Sequence, residues 1–248
     1  MKTVYQNDNL RFVDNEQDYD FVGWLENLSG NTIIVIFEAP DPDFNEETQE
    51  VFWDEDTWQV EEIKVFTINA AVEDFRQYVE ENRSFGIAIP YIEFEPSKSG
   101  GFLADNKGRC MFNALKKYFE DETEIENRIK DAIGEPGTEC YKRFLGFAAA
   151  KDIPAKALKN RDTMARWLKE APADIKQDFL DEFNEESNDL RICTHCGRFM
   201  FKGYLLDCDY ACSDTCAIAL YDGDEEQLRE DIRASVEEDD GDYFWTEW

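Results

Sequence analysis

Two cysteine clusters carry the chemistry most plainly written in this chain: Cys193-Thr194-His195-Cys196-Gly197 and Cys212-Ser213-Asp214-Thr215-Cys216, separated by fifteen residues. Four thiolates at such spacing suit a tetrahedral, borderline-soft ion, and zinc takes this ligand set in structural sites. The expectation is one structural Zn2+ held by Cys193, Cys196, Cys212 and Cys216, with His195 and Cys208 close enough in sequence to replace a ligand. Cys193 and Cys196 would form a knuckle that turns at Gly197. Phe199–Phe201 and Tyr204–Leu206 would then form a hairpin across Lys202-Gly203. Cys212 and Cys216, four apart, would share one side of a helix. The amide-rich helix start would favour the thiolate of Cys212. A segment this small should lose its fold without the metal. A redox Cys-x-x-Cys pair is the competing chemistry. Cys110 and Cys140 lie among apolar residues of expected helices and read as core.

The search for catalysis yields little. His195 is the single histidine and lies inside the knuckle, so a Ser–His–Asp or Cys–His arrangement would have to use it. There is no Walker A loop, no Gly-x-Gly-x-x-Gly and no His-Glu-x-x-His. Pro42-Asp43 followed, after eighteen intervening residues, by Glu62-Ile63-Lys64 resembles the PD-(D/E)xK nuclease signature, in which two carboxylates hold a divalent metal. A metal-dependent nuclease is therefore the enzymatic alternative. The leading expectation is a protein that is not an enzyme.

The elements that must position these residues fall into three segments. Residues 1–100 read as an acidic α+β domain, mainly β. Its strands are expected at Asn31–Phe37, Val51–Trp53, Ile63–Ile68 and Phe85–Phe94. A helix is expected over Ala70–Glu81 with Val72, Phe75 and Val79 on one side. Pro96-Ser97-Lys98-Ser99-Gly100-Gly101 reads as a linker. Residues 101–190 read as helical: a helix capped by Asp105 or Asn106 and carrying Met111, Leu115, Tyr118 and Phe119, the repeat Ile125, Ile129, Ile133 up to Gly134, and helices over 141–151, 163–170 and 173–183. Residues 191–248 hold the zinc finger, a helix with Leu228, Ile232 and Val236 on one stripe, and an acidic aromatic tail. The fold class expected is α+β with a C-terminal treble-clef-like finger.

Charge narrows the partners. The 248 residues carry 57 acidic and 26 basic side chains, a formal net charge of −31. Nucleic acid and anionic membrane surfaces would be repelled at long range, and a nucleic-acid binder normally shows a basic face. Direct nucleic-acid binding through Lys116, Lys117, Lys142, Arg143, Lys156, Lys159 and Arg161 is disfavoured because acidic residues separate them. No membrane-span-length apolar run and no signal-peptide pattern is present, and the odd cysteine count fits a reducing compartment, so a cytoplasmic location is expected.

Tyr210-Ala211-Cys212-Ser213-Asp214-Thr215-Cys216 resembles the second half of FCS/TRASH-type treble-clef fingers. With the tail Glu237–Trp248, the segment also resembles acidic uncharacterised proteins of phages and conjugative elements. The resemblance covers residues 191–248 and implies structural zinc and a surface that contacts protein. Asp41–Glu62 interleaves ten carboxylates with Phe44, Phe52, Trp53 and Trp58. Carboxylates fixed on a folded surface can imitate a phosphate backbone and occupy a basic groove. The function expected is thus a phage-type protein that inhibits a host nucleic-acid-processing defence enzyme, anti-restriction or anti-CRISPR, by mimicry. The expected contacts are Trp53, Asp54, Glu55, Asp56 and Trp58, or else the tail. A zinc-containing adaptor of transcription or replication machinery is the non-enzymatic alternative.

Overall fold

A computed structural model of the chain describes residues 1–16, 20–54, 58–183, 189–238 and 242–248. It is a mixed α and β structure that divides into two compact units, Met1–Glu122 and Thr123–Trp248. The expected segments 1–100, 101–190 and 191–248 do not coincide with these units: the boundary falls within the long helix at 122, and Phe199 and Phe201 of the cysteine-bearing segment pack into the core of the preceding helices.

In the first unit, β1 (Lys2–Gln6), β2 (Leu10–Asp14) and β3 (Phe21–Asn27) form an antiparallel meander, and β9 (Ser99–Leu103) joins β3 to complete a four-stranded sheet. Between β3 and β9 the chain makes β4 (Thr32–Glu38), β5 (Asp43–Asn45), β6 (Glu50–Phe52), β7 (Gln59–Phe66), α1 (Asn69–Ser84) and β8 (Tyr91–Phe94). Strands β7, β4 and β8 form a second antiparallel sheet, while among the described residues β5 and β6 pair only with each other.

Strand β4 explains its own sequence. Ile33, Val35 and Phe37 point into a core with Leu10, Phe12, Leu25 and Phe102, whereas Ile34 and Ile36 point the other way onto Val72, Phe75 and Val79 of α1. A strand covered on both faces needs a continuous apolar run rather than alternation. The second half of the expected linker at 96–101 is instead strand: from Ser99 on the chain belongs to β9, where Gly100 and Gly101 pair with Leu25 and Trp24. Glycine is required there because a Cβ would approach the Phe94 ring to 2.8 Å and the Phe21 ring to 2.9 Å. Phe85–Phe94 is strand only over Tyr91–Phe94. Phe85 caps α1, and Gly86 follows with a left-handed φ of +85°.

Asn27 joins the two ends of the excursion between β3 and β9. Its buried side-chain amide donates to the carbonyls of Asn31 (2.7 Å), Phe94 (3.2 Å) and Glu95 (3.0 Å), and its oxygen accepts from the Ser29 amide at 3.0 Å. Buried polar groups persist only when bonded in this way.

Helix α2 (Asn106–Ile133) gives Met111, Leu115 and Phe119 to the first unit and Ile125, Ile129 and Ile133 to the second. Asp105 is its capping residue, accepting from the Gly108 amide at 2.8 Å. The second unit continues with α3 (Glu139–Ala150), α4 (Arg161–Lys169) and α5 (Ala173–Glu182). Asn160 and Thr163 form a reciprocal capping box at the start of α4. Phe144, Phe147, Phe179 and Phe183 form the aromatic centre of this core, and Phe199 and Phe201 from the cysteine-bearing segment join it.

The remaining elements are β10 (Arg191–Ile192), β11 (Phe199–Met200), β12 (Lys202–Leu206), β13 (Asp209–Ala211), α6 (Asp214–Leu220), α7 (Glu225–Glu238) and β14 (Tyr243–Glu247). The expected hairpin across Lys202-Gly203 is displaced. Strand β11 pairs with β10, and β12 turns through Asp207-Cys208 into β13, with Asp207 at a φ of +57°. The tail also differs from expectation: residues 243–247 are strand β14, paired along β12. Along α7, Leu228 is buried, but Val236 is 71% exposed. Ser235 is buried instead because its hydroxyl accepts from the amides of Asp242 and Tyr243. Among the described residues no helix is long and apolar enough to cross a membrane.

Candidate functional site

The thiol sulfurs of Cys193, Cys196, Cys212 and Cys216 lie within 4.8 Å of one another. Each arrives by a local device. The Cys193 amide donates to the Arg198 carbonyl (2.9 Å) and the Gly197 amide to the Cys193 carbonyl (2.8 Å), closing the knuckle; Gly197 turns with φ at +69°. The second pair does not share a helix as expected: Cys212 precedes the N-cap Ser213, and only Cys216 lies within α6. Ser213 Oγ accepts from the Cys216 amide at 3.2 Å, which fixes the first turn beneath the sulfurs. Thr194 and Tyr210 exchange two bonds, 2.8 and 3.1 Å, that hold knuckle against hairpin.

Geometry and electrostatics agree on what this group can do. The Cys196–Cys212 and Cys212–Cys216 sulfur separations are 3.7 and 3.6 Å. A tetrahedron with metal–sulfur bonds of about 2.3 Å has edges of about 3.8 Å, whereas a disulfide needs about 2.0 Å. Hydrogen bonds from Cys196, Cys212 and Cys216 hold the Cys193 thiol far below the ordinary range. The bonds with Cys193 and Cys196 push Cys212 and Cys216 well above it. Protons thus keep four crowded sulfurs from ionising together, and a divalent cation would replace those protons. The four cysteines could hold a metal ion.

The surroundings suit a charged centre. Lys176 of α5, itself buried, donates its ammonium to the Gly197 carbonyl at 2.8 Å and lies over the Phe199 ring. Tyr204 donates to Asp214, the first residue of α6, at 2.8 Å; burial, then this bond, raises its pKa above the ordinary tyrosine range. Met200, Leu206, Ala211, Ala217 and Leu228 form an apolar sleeve around the buried sulfurs. His195 and Cys208 are exposed and stand outside the sulfur group; the Cys208 thiol donates to Asp207.

The expected partner contacts separate. Trp58 is only 3% exposed and packs against Trp53 and Phe37, so it is a core residue rather than a contact. Trp53 is half-buried and pinned by Asn106, whose side chain bonds both its amide (2.8 Å) and its carbonyl (2.9 Å). Asp54 is exposed. Glu55 and Asp56 lie outside the described residues. The large exposed side chains sit just upstream, Phe44, Val51 and Phe52 at 54, 52 and 40% exposure. The alternation of acid and apolar residues around Asn45–Gln49 was the available signal for them.

Of the nuclease-like set, Glu62 and Lys64 form an ion pair on β7 (2.8 Å) and Asp43 stands on the separate β5–β6 ribbon. Among the described residues none of these belongs to a group of three metal-capable side chains. The basic residues of the middle region are largely committed: Lys116 to Asp14, Lys142 to Glu139, Arg161 to Glu135, and Arg143 over the Phe183 ring. Comparisons with protein-family models, curated proteins and solved structures give no match.

Proposed function

We propose that the chain is a non-catalytic, phage-type acidic protein that binds and inhibits a nucleic-acid-processing defence enzyme, of the restriction or CRISPR kind, by occupying its cationic groove. The observation that carries the reading is the distribution of charge on ordered backbone. Phe12 to Ile63 contains no lysine or arginine, yet folds into paired strands. Residues 41–50 are exposed throughout, and carboxylates held at fixed positions present a patterned field that a flexible acidic tail does not. In this reading Cys193, Cys196, Cys212 and Cys216 hold one structural Zn2+ in a treble-clef-like finger, because a knuckle with the first pair is followed by a hairpin and then by a helix start that carries the second pair. Host cytoplasm is the compartment where such a partner and reduced thiols coexist.

Affinity purification of the intact chain from host lysate, identification of the captured protein, and titration with salt and duplex DNA test the reading. The expected result is a nucleic-acid enzyme whose affinity falls steeply with salt and which DNA displaces. A complex indifferent to both rejects mimicry.

A further inference from the structure

We infer that the β5–β6 ribbon is the element that enters the partner, and that its occupant is a protein cleft lined by lysine and arginine with an apolar floor. This inference rests on the cationic-partner reading above and names the surface that carries it.

Every residue from Asp41 to Phe52 is exposed, and among the described residues the ribbon pairs only with itself. An isolated two-stranded hairpin has little stability in water, so this arm depends on local fastening. Asn45 provides it: its side-chain oxygen accepts from the amides of Glu47 (2.9 Å) and Thr48 (3.2 Å), and its carbonyl accepts from Gln49 at 2.8 Å. The register places Phe44 opposite Val51 on one face, and Asp43, Asn45, Glu50 and Phe52 on the other. Apolar side chains fixed together in solvent, unburied by the fold, mark a contact surface.

The rim sets the chemistry of what covers them. Asp41, Asp43, Glu46, Glu47 and Glu50 stand exposed along the same ribbon, and among the described residues none makes an ion pair. Other carboxylates of the unit, such as Asp14, Glu26 and Glu93, are matched by Lys116, Arg11 and Arg76. A neutral or acidic partner would bury these charges uncompensated, whereas a cationic cleft compensates them and lets Phe44 and Val51 supply the desolvated centre.

The test places a photo-crosslinking amino acid at Phe44 and, separately, at Phe85, which is 83% exposed outside the ribbon. Each full-length chain is irradiated in host lysate with and without duplex DNA. The expected result is a crosslink from position 44 to a protein identified as a nucleic-acid enzyme, lost when DNA is added, and no such crosslink from position 85. F44A/V51A should weaken that complex about tenfold, and D43N/E46Q/E47Q/E50Q should flatten its salt dependence. A DNA-displaced complex that these variants leave intact, or that crosslinks only from position 85, overturns the ribbon and leaves the cationic-partner reading standing. A complex that DNA does not displace, or no captured nucleic-acid enzyme, overturns both.

Discussion

The Lys176 ammonium donates to the Gly197 carbonyl at 2.8 Å, tying helix α5 to the turn of the cysteine knuckle. A centre of four thiolates and one divalent ion would carry an excess of negative charge, which the buried lysine would offset while holding the turn. Lys176→Met should lower metal affinity about tenfold or more, as second-layer changes do, measured by competition with a chromophoric chelator. C208S and H195A should bind metal as the parent does; C212S should not.

Metal removal should reach beyond the finger. Phe199 and Phe201 share a core with Ile129, Phe144 and Phe179, so losing the knuckle opens the helical cluster as well. Stripping with a strong chelator should reduce the helical circular dichroism signal, and mass spectrometry of the native chain should show one zinc. Retention of full helicity without metal would separate finger from helices.

The same shared core sets the cost of a cavity. Phe144 is 1% exposed, and Phe144→Ala should destabilise by about 3–5 kcal/mol. Urea denaturation should show the helical signal and metal release moving together to lower denaturant.

The staple at Asn27 supplies a separate test in the first unit. Asn27→Leu keeps the branched shape but leaves the carbonyls of Asn31, Phe94 and Glu95 without this donor. The expected loss is about 2 kcal/mol or more, read as a lower urea midpoint.

Asp14 gives a pH dependence of known sign. Burial opposes ionisation of its carboxyl, but the Glu16 amide (2.8 Å) and Lys116 (3.2 Å) outweigh it and hold the pKa below the ordinary value. The resulting stability is full above the unfolded-state value of about 3.9 and is lost as the pH falls through the folded one. Asp14→Asn should therefore cost up to about 1 kcal/mol at neutral pH. In acid unfolding curves the two chains should converge only below the ordinary aspartate titration.

Much of the frame is legible residue by residue. The run Ile33–Phe37, the stripe Val72, Phe75, Val79 and the repeat Ile125, Ile129, Ile133 all lead to buried positions, and the cysteine spacing leads to one cluster of sulfurs. What local pattern cannot convey is long-range pairing. Gly100 and Gly101 look like a linker until the rings of Phe94 and Phe21 lie against them. Trp58 looks like a recognition residue until Phe37 and Trp53 surround it. Lys176 carries no sign in the sequence that its partner is a carbonyl twenty-one positions away.

Strands β4 and β7, which flank the ribbon, are themselves paired at seven positions from Thr32–Phe66 to Glu38–Gln59. A protease that nicked the tip at Glu46–Gln49 would leave both fragments joined through that ladder. Insertions, deletions and exchanges at the tip are borne by the ladder in the same way. The length and sequence of the arm can therefore change while the strands that anchor it stay as they are.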